Sequence, residues 1–116
     1  MKRLVILDSE GYGRTVYDVA EQLSYSITVL DDSDNEHPFD LFSYYIKKDI
    51  EFIPAFGNNE LRFVWLERVE KACGKPATLV HPSAYISPRV HVSDGCVILP
   101  GAIINTRTRT GKRMYH

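Results

Sequence analysis

At 116 residues the chain is long enough for one domain and too short for two of ordinary size. Fourteen Lys and Arg against 15 Asp and Glu leave a formal net charge of −1, which removes the electrostatic reason to expect nucleic acid or an anionic membrane as a partner. Apolar residues make up 44 % and aromatics 11 %, enough for a core and against global disorder.

Residues 4–7, Leu-Val-Ile-Leu, follow a short basic start and stop at Asp8. Four apolar residues are too few for a signal peptide or a membrane span, but they suit a strand covered on both faces. A turn over 8–13 leads into an expected helix over 14–24, with Val16, Val19, Ala20 and Leu23 on one face. A second strand is expected over 27–30, stopped by Asp31 and Asp32. The segment 33–49 is polar, then aromatic at Phe39, Phe42, Tyr44 and Tyr45, with room for a short helix over 41–47.

A third strand is expected over 50–56, and Pro54 inside it points to an edge position or an irregular start. Gly57-Asn58-Asn59 forms a turn whose Asn can cap the next helix, expected over 60–72. That helix stops at Gly74, with Pro76 just beyond. Strand, helix, strand, strand, helix is the order of a small Rossmann-type α/β sheet.

After Pro76 the period changes. Val80, Ile86, Val92, Ile98 and Ile104 recur every six residues, and Ala84, Val90, Cys96 and Ala102 stand two positions before the last four. Strands repeat every two residues and helices every 3.6, so a sustained six is a repeat signal. It fits one inward aliphatic per flat face of a β-helix. The next positions in register, Thr108 and Thr110, are polar. The expected organisation is therefore 1–76 as a Rossmann-like domain and 77–116 as an incomplete β-helix. Fewer than two coils fit in that tail, whereas solenoids usually need about three repeats. An uncapped end is expected to expose Ile98 and Ile104 unless the α/β half shelters them, chains associate there, or the protein continues.

Candidate functional residues gather at the strand-to-helix turns. Backbone N–H groups and a helix dipole at Gly11-Tyr12-Gly13 suit a phosphate. The full GxGxxG spacing is missing, because Asp8 stands where a first glycine belongs, and a tight turn feeding a packed helix explains the segment equally well. Asp31 lies 20 residues after Gly11, where a Rossmann site places its ribose-binding acid; Asp32 doubles that option, and both also serve as strand terminators. Gly57 and Asn58 repeat the arrangement at the third strand. Arg62, one turn on, is placed to reach a phosphate, to lie solvated, or to pair with Glu60 or Glu67.

The remaining chemistry is sparse. His81 has no carboxylate or cysteine partner in sequence and reads as a hydrogen-bonding residue; His91 should point outward, His37 lies in the polar loop and His116 is terminal. No nucleophile–base pair or metal set is evident. Trp65 reads as core or interface. Cys73 and Cys96 form no metal-ligand spacing and no disulfide framework, which favours a reducing cytoplasm.

The residues resemble a known family over essentially the whole chain. The matching segments are 4–7 with Gly11-Tyr12-Gly13, then Val29-Leu30-Asp31-Asp32, and Ala55-Phe56-Gly57-Asn58-Asn59-Glu60-Leu61-Arg62. They continue through Leu79-Val80-His81-Pro82-Ser83-Ala84 and the hexads up to Gly101-Ala102-Ile103-Ile104-Asn105. The chain resembles the N-terminal part of the nucleotide-sugar acetyltransferases that include sialic acid O-acetyltransferase and the bacillosamine-pathway UDP-amino-sugar N-acetyltransferases. The resemblance implies a Rossmann-like domain holding a UDP-sugar, followed by a left-handed parallel β-helix that forms a homotrimer and binds acetyl-CoA between subunits. Carried over by position, the sugar-nucleotide contacts are Glu10, Gly11, Tyr12, Gly13, Asp31, Asp32 and Gly57, with Asn58 and Arg62 beside them. The family has Gly-His-Gly where this chain has Gly11-Tyr12-Gly13, and a small residue in place of Glu10, whose carboxylate repels a phosphate. The family's catalytic histidine falls one coil beyond His116, so no residue here is assigned as catalytic. Acetyl-CoA is expected to bind the full-length family and not this chain. The alternative expectation is a non-catalytic nucleotide-sugar-binding or oligomerisation module.

Overall fold

The computed structural model describes residues 2–9, 11–31, 42, 44–46 and 49–105. Strands β1 (Arg3–Asp8), β2 (Ser26–Asp31), β3 (Ile50–Ala55) and β4 (Lys75–Pro76) form one sheet in the order β2-β1-β3-β4, parallel at every pairing. Helix α1 (Gly13–Gln22) follows β1, and α2 (Asn59–Lys71) follows β3. The expected α/β architecture is therefore present.

Strand β1 is central, which explains its unbroken apolar run: both faces are covered. Successive residues serve opposite cores. Leu4 and Ile6 pack with Val16, Val19 and Ala20 of α1, whereas Val5 and Leu7 pack with Leu30, Phe52 and Val69. The second core is closed by aromatics: the Phe42 ring stands edge-on to both Phe52 and Trp65, 5.6 Å between centroids in each case. Trp65 thus belongs to the core margin, with the Arg68 guanidinium 4.6 Å above its ring. Leu41 and Lys47 of the expected short helix lie outside the described residues.

Two local expectations need correction. Strand β3 is an inner strand, flanked by β1 and β4, despite Pro54. Phe52 accepts from Ala77 N on the β4 side, and Pro54, two residues on, faces the same way. There β4 has already ended, so the missing proline N–H removes no ladder bond. Helix α2 does end before Gly74 and Pro76, and Pro76 lies in the short strand β4. The left-handed residue after α2 is Cys73 (φ 63), one before the glycine expected to fill that role.

Beyond β4 lie four two-residue strands: β5 (Leu79–Val80), β6 (Tyr85–Ile86), β7 (Val97–Ile98) and β8 (Ile103–Ile104). Leu79 pairs with Val97 and Tyr85 with Ile103, both parallel and both offset by 18 residues, or three hexads. Ile98 and Ile104 are buried rather than exposed. Val97 joins Ala77 and Leu79 in the core beneath α1, and Ile98, on the opposite face of the same strand, is buried as well. Val80, Ile86 and Val92 are half-buried.

Candidate functional site

In a parallel sheet all strands deliver their carboxyl ends to one edge, and the register aligns Asp8 with both Asp31 and Ala55. The turns after β1 and β3 therefore meet there. Two clefts open at this edge. The first, about 440 Å³, is lined by Asp8, Gly11, Gly13 and Val29, with Arg14, Tyr17 and Asp18 from α1. The second, about 430 Å³, is lined by Ser9, Tyr12, Phe56, Gly57, Asn58 and Leu61.

Asp8 organises the first turn. Its carboxylate is only 6 % exposed, and Oδ1 accepts from Ser9 N at 2.7 Å and Gly13 N at 2.6 Å. Tyr12, at the N-cap of α1, makes no side-chain cap bond, so the strand residue caps the helix in its place. The approach is so close that a Cβ on Gly13 would lie 2.8 Å from Asp8 Cγ. Gly11 takes a left-handed conformation, φ +82, which a side chain would strain.

Tyr12 joins the two turns. Its ring lies against Gly57, where a Cβ would fall 2.7 Å from Cζ, and the residue is 57 % exposed. Asn58 caps α2, its Oδ1 accepting from Leu61 N at 3.0 Å. The structure thus brings Gly11, Tyr12, Gly13, Gly57 and Asn58 together, with half-buried Asp31 beside Asp8 on the sheet edge. Arg62 is not a solvated helix residue: it is 3 % exposed, and its Nη1 donates to Asn59 Oδ1 at 3.2 Å. Glu10, Asp32, His37 and His116 lie outside the described residues.

The sequence reading missed two polar clusters. At the amino end of the sheet, buried Glu51 accepts from Tyr25 Oη at 2.7 Å and lies 3.7 Å from Lys2 Nζ and 3.3 Å from Lys75 Nζ. Burial first, then the hydrogen bond and charge of Glu51, push the Tyr25 phenol above its ordinary range. The available signal was one glutamate inside an apolar strand. In the tail, His81 Nδ1 lies 2.8 Å from Ser83 Oγ and accepts from Ser83 N at 3.0 Å, while Gly101 N donates to Ser83 Oγ at 2.9 Å. Ser83, held by the His81 ring, thus stitches two successive turns, and exposed His91 points outward as expected.

The clefts present carboxylates, a guanidinium and aromatic rings, parts suited to holding a polar ligand. Among the described residues no group of three metal-ligating side chains occurs, and no helix is long and apolar enough to cross a membrane.

No model of a known protein family matches the sequence. Solved structures do. A mutant of perosamine N-acetyltransferase from Caulobacter crescentus, in complex with CoA and GDP-perosamine, aligns with 99 % of this chain at a TM-score of 0.81 and 19 % identity. The acetyltransferase domain of PglB from Neisseria gonorrhoeae FA1090 aligns with 99 % of it at 0.74 and 24 % identity, covering 67 % of that domain. The same domain in complex with acetyl coenzyme A gives 0.73 and 25 %, with 98 % of this chain and 66 % of that one covered. These neighbours are acetyltransferases by name, the first of them of perosamine, and the fold is shared along almost the entire chain. The chain spans about 60 % of the length of the perosamine enzyme.

Proposed function

We propose that this chain is the nucleotide-sugar-binding portion of a sugar acetyltransferase. The supporting observation is the likeness of 99 % of the chain to a transferase solved with CoA and GDP-perosamine, together with two clefts at the sheet edge where open α/β sheets hold ligands. In this reading residues 1–76 form the Rossmann-like holder and 77–116 begin a left-handed parallel β-helix. The 18-residue offset supports that division, because three hexads make one triangular coil.

Gly11, Tyr12, Gly13, Gly57 and Asn58 are the proposed ligand contacts, with Asp31 near a ribose and Glu10, Asp32 and Arg62 completing the set. The ligand is a UDP-sugar or a nucleotide-sugar of the same class. In the whole transferase, acetyl-CoA supplies the acetyl group: the acceptor amine or hydroxyl attacks the thioester carbonyl, the CoA thiolate leaves, and a base takes the acceptor proton. No residue of this chain is assigned as that base. A homotrimer is proposed, supported by Tyr85 (56 % exposed) and Ile103 (74 % exposed), which stand side by side on paired strands. Two free cysteines, one of them exposed, favour a reducing cytoplasm.

Isothermal titration with UDP, a UDP-N-acetyl sugar and a GDP-sugar tests the binding reading. Saturable heat with at least one is expected; no heat from any at millimolar concentration removes it.

A further inference from the structure

We infer that Asp8 is a built-in anion, seated where a ligand phosphate would otherwise bind at the start of α1, and that it directs the phosphates of any ligand away from that helix. The inference rests on the nucleotide-sugar reading for its ligand, but its structural basis is independent. A helix start attracts an anion because its first N–H groups lack partners and its dipole is positive there. Here the Gly13 N–H, the first of α1, is already given to a carboxylate at 2.6 Å, and Ser9 N to the same oxygen at 2.7 Å. No other acid stands in the first turn of α1, and Tyr12 at its N-cap contributes no side-chain bond. Asp8 is therefore the group that caps this end.

The seat is also full. Asp8 is buried to 6 % exposure, and a single Cβ on Gly13 would already be 2.8 Å from its carboxyl carbon. A phosphate reaching the same N–H would have to displace the carboxylate or lie against it, charge on charge. The cleft wall beyond carries Asp18 as well, against one guanidinium from Arg14. Carboxylates in that arrangement receive hydrogen bonds from hydroxyls and repel phosphates. The first cleft thus takes the neutral, hydroxyl-bearing part of a ligand.

The test uses the full chain labelled with ¹⁵N and follows the Ser9 and Gly13 amide signals during titration with inorganic pyrophosphate, uridine and UDP. In the wild-type protein, 10-fold excess pyrophosphate is expected to leave both signals in place. In Asp8→Ala, which empties the seat and removes the charge, pyrophosphate is expected to shift both, with an affinity at least 5-fold above wild type. Wild-type signals that move with pyrophosphate as readily as the variant's overturn the inference. Should Asp8→Ala not fold, the wild-type titration alone still decides, because a saturable shift of the Gly13 amide by pyrophosphate contradicts a filled seat. Absence of shifts from uridine and UDP anywhere in either cleft, with the pyrophosphate result as expected, refutes the nucleotide-sugar reading and leaves the role of Asp8 standing.

Discussion

Gly13→Ala sets two known effects against each other. Alanine is favoured over glycine inside a helix by ~1 kcal/mol, so propensity alone predicts a more stable protein. The new methyl, however, would lie 2.8 Å from Asp8 Cγ and 3.0 Å from Oδ2, and the carboxylate cannot simply swing aside, being short and held by two backbone donors. Displacing it forfeits hydrogen bonds to a charged group worth roughly 1.5–3 kcal/mol each. Water entering from the open cleft recovers part of that, so the expected net destabilisation is ~2 kcal/mol. For a domain of this size that lowers Tm by about 8 °C. Thermal unfolding followed by circular dichroism gives the number, and urea unfolding checks that m is unchanged. A second background isolates the cause. In Asp8→Ala only the Cβ, at 3.1 Å, remains in the way, so adding Gly13→Ala should cost less than half as much as in wild type. A rise in Tm on Gly13→Ala in the wild-type background would refute the reasoning.

Gly57→Ala meets a comparable overlap, but with the far end of the exposed Tyr12 ring, which has room to turn aside; stability should change by less than ~0.5 kcal/mol, while the Tyr12 ring resonances shift. Tyr25 holds its proton to higher pH in the folded protein than in the unfolded chain, so native stability is fully present below the ordinary tyrosine range near ~10 and falls as pH rises above it. Tyr25→Phe should be less stable at neutral pH, and urea unfolding between pH 9 and 11.5 should decline less steeply than in wild type. A thiol reagent should label exposed Cys73 in the native protein and buried Cys96 only on unfolding, giving one fast equivalent without denaturant and two with it.

What the sequence made legible was periodicity. A continuous apolar run marked β1, a helical stripe marked α1, and spacing by six foreshadowed pairings three hexads apart, because each pattern is the direct imprint of which side of an element meets the core. What stayed hidden depended on a partner far along the chain. Pro54 looked like an edge residue because nothing local reveals that β4 pairs with only the first half of β3. Arg62 read equally as a phosphate contact, a solvated residue or a partner of Glu60 or Glu67, because nothing local shows that the fold draws it inside onto Asn59. Asp8 looked like a defect in a glycine motif. Only the proximity of Gly13 turns it into the cap of α1.

The same distinction explains how so short a coil holds together. Stacked repeats usually need about three units before their shared core outweighs the entropy of ordering them, and the described tail completes little more than one. Its first turn does not rely on a third coil. Ala77, Leu79 and Val97 face Leu4, Ile6, Val16 and Val19 in one continuous core, so the α/β half provides on one side the apolar surface that a preceding coil would provide in a longer solenoid. Ile98 and Ile104 are likewise buried, while Tyr85 and Ile103, on paired strands, retain their exposure. The two segments are separable in sequence period but not in packing. A cut at Pro76 would open the core beneath α1 on both sides of the break.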